Sequence, residues 1–302
     1  MSHEEHTLIQ FQSRHYQLAL PLPWINRIEA GITFTPNSRG MTPLGWVETD
    51  KGRNSVLDLS ICLGNPPHPN PGKAQFLFLN DSSRPMVLMV DRVIRARRPH
   101  SMAISPIAQE LLGLPSPLVR GIALENPPLY VLDFEGLAHQ CGLPTYPVNR
   151  PRLKFIQPDS SVTSAPMLIS FPIHPKEPQQ RLGLSLRQVA EILHHPHIEP
   201  LPGGPSHISG FIWWRNLAIP VIDLNLKLFG SSQNQAERII VARIPMTEHY
   251  IGLVCCSDMH TEKDLSSFQP VPSLPSDGDY FLGTFQKGDI LLIIPNLKTL
   301  CA

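Results

Sequence analysis

A chain of 302 residues with 25 Lys and Arg against 25 Asp and Glu has no net formal charge, which removes the basic footprint that nucleic-acid binding needs. Its 42% hydrophobic residues can bury a core and its 17% charged residues are too few for a disordered chain; at roughly 100–200 residues per domain, two domains are expected. Thirty-three prolines, about twice the usual share, exclude long helices, because the ring lacks an N–H and breaks the ladder.

The chain begins with a polar, acidic segment that lacks the basic start and apolar stretch of a secretory signal. The apolar run at residues 290–294 is far short of the ~20 residues that span a bilayer. A cytoplasmic protein with no direct membrane insertion is expected. Five cysteines without C-x-x-C spacing predict neither a disulfide framework nor a zinc site.

In the first half, Leu44, Gly45, Trp46 and Val47 read as a glycine-led strand. After a polar turn come Val56, Leu57, Asp58 and Leu59, then Leu63 and Gly64. Residues 65–72 are a proline-rich rigid stretch, and residues 76–79 and 86–90 form a β-hairpin pattern. Arg92, Arg95, Arg97 and Arg98 follow, read either as a solvated loop or as the dock for an acidic partner. Ser105 and Pro106 suit the cap and first turn of a helix running to about Gly113. Gly121, Ile122, Ala123 and Leu124, then residues 129–132, are two more strands.

Residues 142–166 contain five prolines at positions 144, 147, 151, 158 and 166 and read as a semi-rigid linker. Beyond it, Leu186, Val189, Ile192 and Leu193 recur at i, i+3, i+6 and i+7, which predicts a helix over residues 185–195 ended by Pro196. The order of the first half then returns. Ser209, Gly210, Phe211 and Ile212 lead to Val221, Ile222, Asp223 and Leu224, then Phe229 and Gly230, strands at 239–242 and 250–254, a strand opened by Gly283, and residues 290–294. An internal repeat of short strands organises the chain. Its copies span residues 7–140 and 164–302, with the linker at 141–163.

Within the second copy, Val189, Glu191 and Ile192 fit a V-x-E-I pattern, and Ile198, Leu201 and Pro202 an I-x-x-L-P turn. Gly210, Ile212 and Arg215 fit G-x-I-x-x-R-G, and Ile219, Pro220, Val221, Asp223 and Leu224 fit I-P-V-x-D-L. In that order and spacing these residues resemble the CheW family of chemotaxis coupling proteins. The first copy is similar through Ile25-x-x-Ile28, Gly45, the Val56 to Leu59 string, Val90, Asp91, Arg92 and Val93, and Leu132 with Asp133. The second copy places Cys255 and Pro295 where the first has these two aspartates, Asp91 and Asp133.

The resemblance implies a mainly β fold: two tandem CheW-like domains, each a pair of small five-stranded SH3-like β-barrels with one or two short helices on a shared apolar core. It implies a non-enzymatic scaffold without cofactor. Its partners would be the cytoplasmic tip of chemoreceptor-type sensors and the regulatory domain of a CheA-type histidine kinase, in a chemotaxis or pilus-motility pathway. A degenerate regulator that occupies one partner's site without coupling is an alternative; a small-ligand-binding β-barrel is another, from a different class.

Carried over by position, the resemblance implies partner contacts at Val189, Glu191, Ile192 and Arg215, with Ile25, Arg27 and Ile28 as first-copy counterparts. The plain reading of Val189 and Ile192 is the buried face of an amphipathic helix, and Glu191 and Arg215 could pair with each other. Of Trp213 and Trp214 on one strand, one should face the core and one solvent; an exposed Trp214 would anchor a partner, and a buried pair is the other reading. Arg27 stands where Glu191 stands, and Asp50 or Lys51 where Arg215 stands, so the copies invert charge. They bind different partners, or only the second binds a family partner. Asn216 occupies a turn position where glycine is usual, and tolerates it.

No nucleotide loop, nucleophile elbow or dinucleotide fingerprint occurs, so no catalytic residue is proposed. His194, His195, His197 and His207 lack the second ligand pair of a closed metal site. Cys255 and Cys256, adjacent on a strand, should point to opposite faces.

Overall fold

The computed structural model describes residues 7–37, 43–50, 52–80, 85–97, 104–107, 118–140, 142–143, 167–174, 176–230, 237–256, 258–263, 265–271 and 280–300. These residues are mainly strand, as expected, and fall into two compact units. The first contains β1 (Leu8–Ser13), β2 (Tyr16–Pro21), β3 (Ile25–Ala30), β4 (Thr35–Pro36), β5 (Gly45–Thr49), β6 (Gly52–Asp58), α1 (Leu59–Cys62), β7 (Gln75–Leu79), β8 (Met86–Val90), β9 (Arg92–Arg97), β10 (Ile104–Pro106), β11 (Val119–Ala123), β12 (Leu129–Leu132) and α2 (Phe134–Gln140). Its sheets run β10-β11-β12-β2-β1-β9 and β3-β7-β8-β6-β5-β4.

The second unit contains β13 (Leu168–His174), β14 (Glu177–Ser185), β15 (Val189–His194), β16 (Ile208–Trp214), β17 (Leu217–Ile222), α3 (Leu224–Phe229), β18 (Arg238–Arg243), β19 (Tyr250–Cys255), β20 (His260–Glu262), β21 (Gln269–Val271), β22 (Phe281–Lys287), β23 (Ile290–Pro295) and α4 (Leu297–Leu300). Its sheets run β21-β22-β23-β14-β13-β20 and β15-β18-β19-β17-β16. Strand for strand this is the order of the first unit, and an isolated bridge between Glu199 and Phe211 stands in for β4. The sequence repeat is thus a repeat of topology. Three sheets have six strands and one has five; the sixth is a short edge strand such as the two-residue β4.

The central strands are buried on both faces, which explains their continuous apolar runs in place of alternation. Val56, Phe76, Phe78, Val87 and Met89 pack on one side of the first unit's β6-β7-β8 ladder. Leu57, Leu77 and Leu88 alternate with them and are equally inaccessible, and β8 meets β1 of the other sheet. In the second unit β19 meets β13 in the same way.

The recurring aspartate of the V-[LI]-D-L string ends a strand and starts a helix. Asp58 accepts hydrogen bonds from the backbone N–H of Ser60 at 2.9 Å and of His68 at 2.7 Å. Asp223 accepts from the N–H of Asn225 and Leu226 at 3.0 and 3.1 Å. Each carboxylate satisfies a donor that a helix start leaves open, and Asp58 also ties the loop at His68 to it. The recurring glycines have an equally local cause: a Cβ on Gly45 would overlap the carbonyl oxygen of Thr35, and one on Gly210 that of Glu199.

Four expectations change. Residues 186–188 form a turn and β15 replaces the helix expected over residues 185–195. A β-bulge is the reason: Val189 lies opposite Ala242, Glu191 opposite Val241 and Ile192 opposite Ile240. One extra residue puts Val189 and Ile192, three apart, on the same face, and so imitates helical spacing. Ser105 and Pro106 lie in strand β10, paired to β11, and the Ile107 N–H continues the pairing to the Arg120 carbonyl; residues 108–113 of that expected helix lie outside the described residues, as does nearly all of the linker. Arg92, Arg95 and Arg97 belong to strand β9 instead of a loop and bond Gln12, Gln10 and Glu125 at 2.9, 3.2 and 2.6 Å; Arg98 lies outside the described residues. The ladders also move the match between copies by one residue. Val90 pairs with Gln75 as Cys255 pairs with Arg238, and Leu132 with Val119 as Pro295 with Phe281. Cys256 and Asn296, not Cys255 and Pro295, therefore stand where the first copy has Asp91 and Asp133.

The vicinal cysteines face opposite ways, Cys255 buried and Cys256 partly open. Burial, and then the neighbouring Cys256, push the Cys255 thiol up to about 12. Since the thiolate is the reactive form, iodoacetamide at neutral pH is expected to alkylate Cys256 while Cys255 stays unmodified until the chain unfolds. Peptide mass spectrometry reads this directly, and equal labelling of the two in the folded chain would contradict it.

Candidate functional site

The candidate contacts of the second copy assemble on β15 and the β16–β17 hairpin. β15 is the end strand of its sheet, paired only to β18 among the described residues. The bulge turns Glu191 and Leu193 to the face of Val241 and Ile239, and Val189 and Ile192 to the other. On the first face lies the apolar cluster of Ile212, Trp214, Ile219, Val221, Ile239, Val241 and Val254. Glu191 sits at the rim of that cluster with its side chain 43% exposed.

Trp214 is buried, so it anchors this copy internally and offers little surface to a partner. Its indole N–H donates to Glu191 Oε2 at 2.7 Å. Arg215 Nη2 lies 3.5 Å from the same oxygen, and its guanidinium stacks 4.4 Å from the Trp214 ring centroid. Tyr250 packs against the indole, with ring centroids 4.8 Å apart and the rings tilted. Arg215 and Asn216 are the two turn residues, with φ of +48° and +64°, the left-handed pair of a tight hairpin turn. Asn216 thus fills the usual glycine position without breaking the turn. The outcome is a carboxylate bonded to the indole N–H and a guanidinium over the indole ring, held together at an open sheet edge. Val189 and Ile192 are half-buried on the other face of β15. The sequence already placed Glu191 with Arg215, but Trp214 as the hydrogen-bond donor and Tyr250 as its backing were missed; two aromatics this far apart in the chain carry no local signal.

In the first copy, Ile25 pairs with Leu79, Arg27 with Phe78 and Ile28 with Leu77, across a bulge at the same place. Arg27 therefore occupies the site of Glu191 in register. Its guanidinium lies 4.0 Å from the Phe78 ring centroid, and its Nε pairs with Glu29 at 2.6 Å. Ile25 is buried and Ile28 is exposed. The turn between Thr49 and Gly52 puts Asp50, exposed, at the place of Arg215; Lys51 lies outside the described residues. Both copies seat an arginine over an aromatic ring, Arg27 over Phe78 and Arg215 over Trp214, but the bulge position itself carries opposite charges, Arg27 and Glu191.

His197 pairs with Glu199 at 3.1 Å on the surface. Among the described residues, no group of three or more His, Cys, Asp and Glu side chains is placed to hold a metal ion, and no helix is long and apolar enough to cross a membrane.

Comparison with known proteins places this edge in a family context. The family model of the CheW-like domain matches residues 176–302, which include β15 and the β16–β17 hairpin. No curated protein sequence matches the chain. Among solved structures, the scaffolding protein TtCheW from Thermoanaerobacter tengcongensis is similar at 24% identity, covering 48% of this chain and 92% of that chain with a TM-score of 0.38.

Proposed function

We propose, since residues 176–302 are a CheW-like domain, that this chain is a non-enzymatic adaptor in a chemotaxis or pilus-motility pathway. It couples the cytoplasmic tip of chemoreceptor-type sensors to the regulatory domain of a CheA-type histidine kinase, in the cytoplasm. The observation that carries this reading is the fixed Glu191–Arg215 pair on the open β15 edge, within the matched region. An exposed pair contributes only ~0–1 kcal/mol to stability, which is a weak reason to hold it on Trp214; orientation for a partner is a stronger one. The first copy, residues 7–140, is joined to the second, residues 164–302, through the linker at 141–163 and meets a different partner, because its edge carries Arg27 in place of Glu191. Two copies on one chain raise effective concentration without new affinity.

Titrating the purified chain with a CheA-type regulatory domain tests this. Glu191→Arg is expected to weaken binding by about tenfold or more, as loss of an interfacial charge pair does, with the circular dichroism spectrum unchanged. Undiminished affinity, or no binding by the unaltered chain, would refute the assignment of this edge. Receptor-dependent kinase activation, reconstituted with and without the chain, separates coupling from simple competition.

A further inference from the structure

Strand β9 is an end strand of the first copy's β10-β11-β12-β2-β1-β9 sheet, paired only to β1 among the described residues. Such an edge presents unmade backbone N–H and C=O groups to another strand. In the antiparallel register Arg92 stands opposite Gln12, Arg95 opposite Gln10 and Arg97 opposite Leu8, so the three arginines share one face. Arg97 is already engaged: its side chain is 16% exposed and its guanidinium meets Glu125 at 2.6 Å. Arg92 and Arg95 are exposed, and each uses only its Nε–H, on the neutral amide oxygens of Gln12 and Gln10 at 2.9 and 3.2 Å. Among the described residues no carboxylate pairs with either guanidinium. Asp91, next in the chain, instead accepts from the Arg14 backbone N–H at 2.8 Å and meets His68 at 3.0 Å. Ile94, the extra residue of the bulge against β1, is 39% exposed between the two arginines. The second copy lacks this basic edge: on β20, His260 stands opposite Ser170 and Glu262 opposite Leu168, where the first copy has Arg95 and Arg97.

We infer that β9 takes an acidic, extended segment of another protein as an added strand, with carboxylates at alternate positions. The bulge brings Arg92 and Arg95 to the span of Gln12 and Gln10, two positions apart. Side chains directly opposite in neighbouring strands lie about 5 Å apart at Cβ, so carboxylates two positions apart reach both arginines together. Charge on an edge turns away neutral and basic strands, and the same charge selects an acidic one. A polyanion without peptide groups would leave the β9 main chain unpaired, so a polypeptide is the occupant that the edge fits. This edge is separate from β3 and β15. The inference goes beyond the adaptor reading and needs neither kinase nor receptor, so it stands or fails independently of that reading.

Fluorescence anisotropy with the purified full chain tests it, using a labelled peptide of alternating glutamate and valine about six residues long, the usual length of a strand. The unaltered chain is expected to bind this peptide, and to bind it more weakly as salt rises and screening shortens. Reversing both charges, Arg92→Glu with Arg95→Glu, should weaken binding by about tenfold or more, since two attractions become repulsions. The same double variant should instead take up the lysine–valine counterpart, which also shows that it is folded. Two control peptides isolate strand addition from simple attraction. One has the same composition with its glutamates in a single block, and the other is methylated at its backbone nitrogens, which removes the main-chain donors that β9 would accept. Each should bind about tenfold more weakly than the alternating peptide. Four results would overturn the inference: no binding of the alternating peptide by the unaltered chain, a double variant that keeps the acidic peptide, a double variant that does not take the basic one, or a control peptide that binds as well as the alternating one.

Discussion

Trp214→Ala is expected to lower the stability of the second unit by about 3–5 kcal/mol, the usual cost of emptying a large aromatic site in a core. The indole is 6% exposed and packs among Ile212, Ile219, Val221, Ile239, Val241, Val254 and Tyr250, so the strands around it cannot close the void without breaking their ladders. Trp214→Phe keeps most of the buried area and removes the N–H that Glu191 accepts. Because Glu191 is partly exposed, water replaces much of that bond, and about 1 kcal/mol is expected. The pair of variants separates two roles. Urea unfolding should rank alanine far below phenylalanine, whereas affinity for the kinase regulatory domain should already fall in Trp214→Phe, because Glu191 has lost its orienting partner. Unchanged affinity in Trp214→Phe would show that the indole serves packing alone.

The second large effect belongs to Arg181, a 3% exposed arginine in strand β14. Its guanidinium donates to Ser170 Oγ and the Ser170 carbonyl, both at 3.1 Å, and to the Asp258 side chain and carbonyl at 2.9 and 3.0 Å. Arg181→Ala leaves these acceptors unmatched and a void beneath them, and about 2–4 kcal/mol should be lost. Arg181→Met fills the space with apolar volume and should cost less. The Arg181 hydrogen bond, partly opposed by desolvation and aided by the charges of Arg181 and His260, holds the Asp258 carboxyl below its ordinary value. The unfolded chain therefore takes up this proton at higher pH than the folded chain. Stability from the pair is complete above the ordinary value of 3.8 and is lost as pH falls through the lower folded value. Asp258 is half exposed, so solvent screening keeps the effect small. Thermal unfolding of Asp258→Asn should fall less steeply with acid than that of the unaltered chain; parallel curves would remove the pair from the acid response.

Much of this organisation is legible in one dimension. The glycine, the V-[LI]-D-L string and the paired apolar runs recur because each answers a local demand: Gly45 and Gly210 let a carbonyl approach, and Asp58 and Asp223 cap a helix. Demands met within a few residues leave their mark at fixed spacing. The helix expected over residues 185–195 fails for an instructive reason. Period counting assumes an unbroken ladder, and the bulge in β15 inserts one residue that turns alternation into a spacing of three. The first copy carries the same signature in Ile25 and Ile28, three apart across the same bulge. Arg92, Arg95 and Arg97 look like loop in the sequence because charge hides a strand whose partners are Gln12, Gln10 and Glu125, remote in sequence.

The duplication, the mainly β class and the opposite signs at positions 27 and 191 could be known from the order of residues, since repetition, proline content and charge are properties of the string. Which charges are held, and by what, could not. Trp214 reaches Glu191 across 23 positions, Arg181 reaches Asp258 across 77, and Phe78 comes under Arg27 only when β7 pairs with β3. Those neighbours are chosen by ladder register, and register is settled by burying one set of side chains over the whole sheet at once. No local window contains that decision.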